Sequence, residues 1–447
     1  MTSNIITVYY EISGICNAKC PYCPTGSGKT KNTPSRFIPV EEFSRGLNRL
    51  YDLDLLTRNT YFNLFNWGDP LLHPKLDEIL YTLKNANQNF TLSTNGSFLP
   101  KKLCSSLLDN LSYFRVSIPG FSQESYDKIH QLKFKKVLHH ISLFSEMVPA
   151  NTLEVLFFVY KFNLKEISQA YEYFNSHNIR FRLAMPHLMY INDAIEYLTD
   201  KIDPAKKQKI ENDLFIEHIK PLILCREKQD ICHYLRNELV IDEYSNILRC
   251  CALSKDSEYY SIGSLFELSR DEIFDMKNRG CDICSNCISA GVPYWYDNNP
   301  LLPELQAFNT PTYCYIDTGS GFSEKQLLSL NYYLKTSETR FHIKFDLRNF
   351  KGINSIRWDP VEGHFCHVKI DKIEIEMKNG RKEQVVLSEL TINGNRISDV
   401  EFQFNTLDPW IIIPINEADV SAVQIDGNLV LINNSKYDQD HQNKCIP

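Results

Sequence analysis

The chain has 447 residues, a formal net charge of −7 and 23% charged residues. A surface that coats nucleic acid needs an excess of Lys and Arg, so this mildly acidic balance argues against a nucleic-acid partner. No apolar run reaches the ~18 residues of a membrane-spanning helix, and no basic segment followed by a long apolar one opens the sequence. We therefore expect a cytoplasmic protein without a membrane span.

Strand and helix patterns alternate over the first part of the chain. The predicted strands are 5–12, 61–65, 90–93, 113–118, 153–159 and 180–185. The predicted helices are 40–56, 74–85, 100–108, 134–147 and 164–175. Strands that alternate with helices predict a parallel α/β sheet, with functional residues at the C-terminal ends of its strands.

The pattern changes twice after residue 186. Residues 187–300 combine charged, helical stretches with a compact cysteine-bearing insert, and we take 1–186 and 187–300 as the first two domains. After a proline-spaced stretch, period-2 alternation with frequent turn signals predicts an all-β sandwich over residues 309–435. The last residues, 436–447, are predicted to be a disordered tail.

Fourteen cysteines without a secretory signal indicate metal or redox chemistry rather than a disulfide framework. Cys16, Cys20 and Cys23, here called the first cysteine loop, have C-x3-C-x2-C spacing just after the first predicted strand. A 4Fe–4S cluster normally takes four thiolates, so three leave one iron free to chelate an amino acid's amine and carboxylate. A zinc knuckle would need a fourth ligand nearby, and none follows before His73.

This motif, with the aromatic Tyr22 before its last cysteine, resembles the signature of radical S-adenosylmethionine (SAM) enzymes. The resemblance implies a partial (β/α)6, TIM-like barrel and a 4Fe–4S cluster on the first cysteine loop. It also implies reductive cleavage of SAM to a 5′-deoxyadenosyl radical, driven by a reductant such as flavodoxin or ferredoxin.

Three polar segments after later predicted strands resemble the SAM contacts of that family. The Gly-Asp-Pro run after the second strand is similar to a Gly-Glu-Pro motif whose backbone carbonyls bind the methionine ammonium. Residues after the third and fourth strands resemble contacts to the carboxylate or the ribose. The resemblance thus implies these SAM-binding residues: Tyr22, Gly68, Asp69, Pro70, Ser93, Asn95 and Ser117.

A second group of cysteines flanks a predicted β-hairpin and resembles the SPASM domain or its shorter form, twitch. By that resemblance, one auxiliary 4Fe–4S cluster is bound by the auxiliary cysteines, which are Cys232, Cys250, Cys284 and Cys287. Cys251 in place of Cys250, or Cys281 in place of one of the last pair, stays open. Four thiolates also suit structural zinc.

The C-terminal segment resembles β-rich modules appended to bacterial polysaccharide glycosyltransferases. Together these resemblances imply an oxidoreductase that oxidises or epimerises a sugar or cyclitol, as a small molecule or glycan, in surface-polysaccharide or natural-product biosynthesis. Two alternatives stay open: a peptide or protein maturase of the SPASM class, and a non-catalytic, zinc-stabilised glycan-binding protein. No catalytic base is assigned, and His187 is expected to be structural.

Overall fold

The computed structural model describes residues 5–57, 60–149, 152–177, 179–224, 232–297, 301–302, 305, 310–332, 338–415 and 419–432. The predicted tail, 436–447, lies outside these residues. None of the helices within those ranges combines the length and apolar character that crossing a membrane requires.

The twelve helices of these ranges are α1 (Val40–Asp52), α2 (Leu76–Asn85), α3 (Gln123–Lys128), α4 (Phe134–Met147), α5 (Ile167–Ser176), α6 (Ile191–Leu198), α7 (Pro204–Asp213), α8 (Ile216–Leu224), α9 (His233–Asn237), α10 (Arg270–Arg279), α11 (Asp282–Ala290) and α12 (Val292–Asp297). The strands of the first half are β1 (Thr7–Tyr10), β2 (Tyr61–Asn63), β3 (Phe90–Thr94), β4 (Leu111–Ile118), β5 (Leu153–Phe158), β6 (Arg180–Ala184), β7 (Glu238–Ile241), β8 (Asn246–Leu248) and β9 (Ser261–Ser264). The later strands are β10 (Thr310–Asp317), β11 (Leu327–Tyr332), β12 (Glu338–Asp346), β13 (Ser355–Asp359), β14 (Phe365–Met377), β15 (Lys382–Gln384), β16 (Thr391–Ile392), β17 (Asn395–Arg396), β18 (Glu401–Phe404), β19 (Ile411–Pro414) and β20 (Val420–Ile432).

Nine strands form one sheet in the order β6-β5-β4-β3-β2-β1-β7-β8-β9. The neighbours from β1 to β5 pair in parallel, and so do β1 and β7. The predicted parallel α/β sheet is confirmed. Its order ends at β6 and β9 and does not close on itself within the described residues, so the partial barrel stays a prediction.

Burial explains why these segments are strands and helices. The β5 sequence LEVLFF is buried at five successive positions, as a strand covered on both faces requires. In α4 the buried Val137, Ile141 and Phe144 recur at helical spacing and form one apolar stripe.

The predicted helix over 100–108 is wrong. Only a short 3-10 turn forms there, at Ser105–Leu107. The buried apolar side chains of this segment are Leu103 and Leu108, which are five residues apart and so fall on different faces of a helix. With no apolar stripe to bury, the segment gains little from a helix.

The chain divides into two compact units, residues 1–170 with 184–300 and residues 171–183 with 301–447. In the second unit, β10–β20 form two antiparallel sheets, ordered β11-β10-β13-β19-β16 and β12-β20-β14-β18-β17, with β15 beside β14. Ile316 and Trp358 of one sheet share a buried apolar core with Phe341 and Val368 of the other. Two sheets that bury one face against a common core match the predicted sandwich.

Candidate functional site

The first cysteine loop follows β1 and lies beside the end of β3. The Asn95 side-chain amide lies 3.6 Å from the Cys16 sulfur and donates to Asn17 Oδ1 at 2.9 Å. Burial raises the pKa of the Cys16 thiol to about 12, and burial also raises the pKa of Cys20 and of Cys23. Metal binding deprotonates such thiols, so this donor set suits a cationic iron cluster.

Across the described ranges, no three His, Cys, Asp or Glu side chains form a group that could hold a metal ion as placed. In an iron–sulfur cluster each thiolate binds a different iron, so its thiols stand further apart than the ligands of one ion. The described residues therefore lack a preformed site for a single metal ion, and cluster binding by the cysteines stays a prediction.

The Gly-Asp-Pro loop, residues 66–70 after β2, folds against the first cysteine loop. The Asp69 amide donates to Ile15 O at 2.9 Å. A Cβ atom on Gly68 would lie 1.8 Å from Ser13 O, so a side chain does not fit there. Pro70 is buried and begins a 3-10 turn. Glycine is thus required for the close approach of the two loops.

Glu11, directly after β1, is a site residue that the sequence analysis missed. Its side chain is fully buried, and its Oε1 accepts hydrogen bonds from Trp67 N at 2.7 Å and Gly68 N at 2.6 Å. Burial raises the pKa of Glu11 to about 8, which the positive charge of Lys255 opposes. Lys255 also pairs with the buried Glu243. The available signal was a charged residue inside the predicted strand 5–12.

Asp69 connects the ends of β2 and β3 through its buried side chain. The carboxylate accepts from Thr94 Oγ1 at 2.9 Å, from Asn95 N at 2.9 Å and from Leu71 N at 3.0 Å. Burial raises the pKa of Asp69, and these donors oppose the rise. The sequence analysis treated this residue through its backbone alone, whereas its side chain fixes the position of Asn95.

The other predicted SAM contacts are spread over neighbouring elements. Ser93 is half-buried on β3, and Ser117 Oγ donates to Thr94 O at 3.2 Å. The Tyr22 hydroxyl instead donates to Asp213 Oδ2 at 2.6 Å, at the end of α7. Tyr22 therefore connects the first cysteine loop to α7. Gly68, Asp69 and Asn95 lie next to the first cysteine loop.

The auxiliary cysteines line one partly open cavity. The cavity is lined by Ile191, Cys232, Leu235, Cys250, Leu253, Ile283, Cys284, Cys287 and Ile288. Four thiols in an otherwise apolar wall are the donor set that a 4Fe–4S cluster requires. The donor chemistry of this cavity therefore fits the predicted group.

The two open alternatives, Cys251 and Cys281, are not among the residues that line the cavity. Interaction with the adjacent Cys251 thiol lowers the pKa of Cys250, and interaction with Cys250 together with burial raises the pKa of Cys251. The Cys281 sulfur lies 3.3 Å from the Cys284 sulfur. Cys250 therefore lines the cavity, and Cys251 and Cys281 do not.

Lys277 is a second residue that the sequence analysis missed. It is fully buried on α10, and its ammonium donates to Arg249 O at 2.8 Å. Burial lowers the pKa of Lys277, which the negative charges of Cys250, Cys251 and Glu238 oppose. An ammonium buried beside thiolates offsets negative charge that the cavity would otherwise leave uncompensated.

His187, after β6, is buried among aromatic rings. Its ring centroid lies 6.2 Å from that of Trp295 and 5.1 Å from that of Tyr296. Burial lowers the pKa of His187 to about 4. This packing agrees with a structural histidine.

Comparison with known proteins finds a family match in the first part of the chain. Residues 10–174 match the family model described as the Radical SAM superfamily. The Fe-coproporphyrin III synthase of Methanosarcina barkeri is 22% identical over 219 residues, which are 48% of this chain and 52% of that protein. The chain therefore spans about half the length of that curated relative.

Two solved structures are similar at low sequence identity. SuiB of Streptococcus suis, bound to the precursor peptide SuiA, is 16% identical with a TM-score of 0.43 over 62% of this chain and 65% of SuiB. The anSMEcpe protein with bound AdoMet is 15% identical with a TM-score of 0.41 over 66% of this chain and 97% of that one.

Proposed function

We propose that this chain, whose residues 10–174 match the radical SAM family model, is an oxidoreductase that abstracts a hydrogen atom from a sugar or cyclitol. The observation that carries the proposal is the meeting of three loops at the ends of β1, β2 and β3. The first loop carries the three thiols. The second loop contains Gly68, which allows the two loops to approach closely, and the third loop places the Asn95 side-chain amide beside Cys16.

In this proposal the first cysteine loop holds a 4Fe–4S cluster and the neighbouring loops hold SAM. When bound, SAM would supply a 5′-deoxyadenosyl radical that takes a hydrogen atom from the substrate. The backbone carbonyls of the Gly-Asp-Pro loop bind the methionine ammonium, and Ser93, Asn95 and Ser117 bind its carboxylate or the ribose. Asp69 fixes the position of the second loop relative to the third through its hydrogen bonds to Thr94 and Asn95.

The auxiliary cysteines would hold a second 4Fe–4S cluster in their cavity. The apolar side chains of Ile191, Leu235 and Leu253 would limit the access of water to its thiolates, and Lys277 would offset part of their negative charge. Such a cluster would receive the electron that an alcohol carbon radical loses when it becomes a ketone and releases a proton. A flavodoxin or ferredoxin is the proposed source of the electron that cleaves SAM.

Oxidation of a peptide side chain is the second candidate function. The name of SuiB, solved with a precursor peptide, motivates it. A substrate with deuterium on the reacting carbon separates the two, because abstraction transfers deuterium to 5′-deoxyadenosine. Sugar or cyclitol intermediates and precursor peptides encoded near the gene are the two sets of compounds to compare.

The first experiment is anaerobic reconstitution, followed by iron analysis and measurement of dithionite-driven 5′-deoxyadenosine formation. We expect the product from the native chain and none after replacement of all three residues of the first cysteine loop by Ala. Undiminished SAM cleavage by that triple variant would refute the proposal. Zinc in place of iron in the auxiliary cavity would favour the non-catalytic, zinc-stabilised glycan-binding alternative.

A further inference from the structure

The hydrogen bonds of Glu11 restrict the direction of two peptide groups in the Gly-Asp-Pro loop. Trp67 N and Gly68 N both donate to the same carboxylate oxygen, at 2.7 and 2.6 Å. In a planar trans peptide the N–H and the C=O of the preceding residue point in opposite directions, and the described residues contain no cis peptide bond. The carbonyl groups of Asn66 and Trp67 therefore face away from Glu11.

These two carbonyl oxygens have unused capacity to accept hydrogen bonds. Among the hydrogen bonds of the described residues, none ends on Asn66 O or Trp67 O. The Asn66 side-chain Nδ2 is likewise buried without a partner in that part of the chain. Backbone carbonyls in folded proteins are normally paired with protein groups, ligand or water, so a ligand that donates hydrogen bonds suits these two.

We propose that Glu11 is the positioning residue that turns the Asn66 and Trp67 carbonyls toward the α-amino group of SAM. This inference rests on the proposed function, because it presupposes that the Gly-Asp-Pro loop binds SAM. Glu11 does not touch the ligand in this arrangement. It acts through the loop, by accepting the two amide hydrogens that lie opposite the two carbonyls.

The surroundings of Glu11 hold it in place. The backbone amide of Glu11 donates to Ile241 O at 2.8 Å, which connects it to β7. The Trp67 indole donates to Leu253 O at 3.2 Å, so the loop is held from its other side as well. The carboxylate therefore sits on a fixed part of the sheet, and the loop is fitted to it.

The test compares the binding of SAM with that of an analogue in which hydrogen replaces the α-amino group. Both dissociation constants are measured anaerobically on the iron-loaded chain. A loop that presents two carbonyls to the amino group binds SAM more tightly than the analogue. Glu11→Ala should weaken SAM binding about tenfold or more and change analogue binding by less than about twofold, because the two hydrogen bonds to the amino group are weakened and the analogue makes neither of them.

Two further variants separate positioning from general stability. Glu11→Asp keeps the charge beside Lys255 but withdraws the acceptor by one methylene, so it should fold and still lose the preference for SAM. Glu11→Gln keeps an acceptor oxygen at the same reach and should retain the preference. Glu154→Gln, a buried carboxylate on β5 of the same sheet, is the matched control and should leave both affinities unchanged.

The outcomes distinguish the inference from the function on which it rests. Equal affinity of the native chain for SAM and the analogue, or no binding of SAM, would refute the proposed function. A preference for SAM that is undiminished in Glu11→Ala and Glu11→Asp would overturn the role of Glu11 alone. An equal loss for both ligands, or a Gln variant as weak as the Ala variant, would also overturn it.

Discussion

Replacement of Cys250 and of its neighbour Cys251, one at a time, tests the auxiliary site most sharply. Cys250 lines the cavity with the other auxiliary cysteines, and Cys251 does not. The two residues are adjacent in the sequence and are both partly buried cysteines, so each is the control for the other. Cys250→Ala should remove the auxiliary cluster, and Cys251→Ala should retain it.

The magnitude follows from cluster stoichiometry. A chain with two 4Fe–4S clusters holds about eight irons, and loss of one cluster leaves about four. With all three residues of the first cysteine loop changed to Ala, the remaining iron reports on the auxiliary cavity alone. In that background Cys250→Ala should lower iron from about four per chain to near zero, while Cys251→Ala should keep about four.

The assay is iron and sulfide analysis after anaerobic reconstitution, with the absorbance of the cluster as a second measurement. Circular dichroism is measured to check that each variant is folded. Retention of about four irons by Cys250→Ala together with their loss in Cys251→Ala would refute the assignment made from the cavity wall. Zinc without iron in the background variant would refute the auxiliary cluster itself.

Three further predictions follow from individual contacts. Gly68→Ala should abolish SAM binding measured by titration, because its Cβ would lie 1.8 Å from Ser13 O, and normal affinity would contradict the close approach of the loops. Lys277→Met should keep iron but lower the auxiliary midpoint potential in a redox titration, on the order of 60 mV for each 1.4 kcal/mol of lost charge stabilisation; an unchanged potential would remove its proposed role. His130 is buried, its Nδ1 has no partner within the described ranges, and burial lowers its pKa to about 4. Its contribution to the free energy of unfolding is therefore present above pH 6.5 and is lost as the pH falls toward 4, by about 2 kcal/mol between pH 7 and 5. His130→Phe should reduce that pH dependence in urea unfolding, and an unaltered dependence would contradict it.

Local patterns were enough to predict strands β1 to β6 and helices α1, α2, α4 and α5. The sequence predicts α4 with both of its ends, because its apolar residues repeat at helical spacing. It also predicts the hairpin of β7 and β8, which form an antiparallel pair. The false helix over 100–108 shows the limit of this reasoning, since its two buried leucines do not share a face.

The side chains that hold the site together could not be predicted in the same way. Glu11 accepts hydrogen bonds from a loop 56 and 57 residues further along the chain. Lys277 donates to a carbonyl 28 residues before it. No periodicity in the sequence records such pairs, because each depends on where the sheet brings two distant segments together. The cysteines were predictable because their chemistry is restricted to few functions and their spacing is local.

The parallel pairing of β1 with β7 has a consequence for synthesis on the ribosome. It joins Thr7–Tyr10 to Glu238–Ile241, about 230 residues later. At ~5–20 residues per second, one edge of β1 waits roughly 10 to 50 s for its partner. During that time an apolar strand presents unpaired backbone groups, which is the hazard of any open sheet edge. Slower growth at low temperature, or a chaperone that covers this edge, should therefore raise the yield of folded chain.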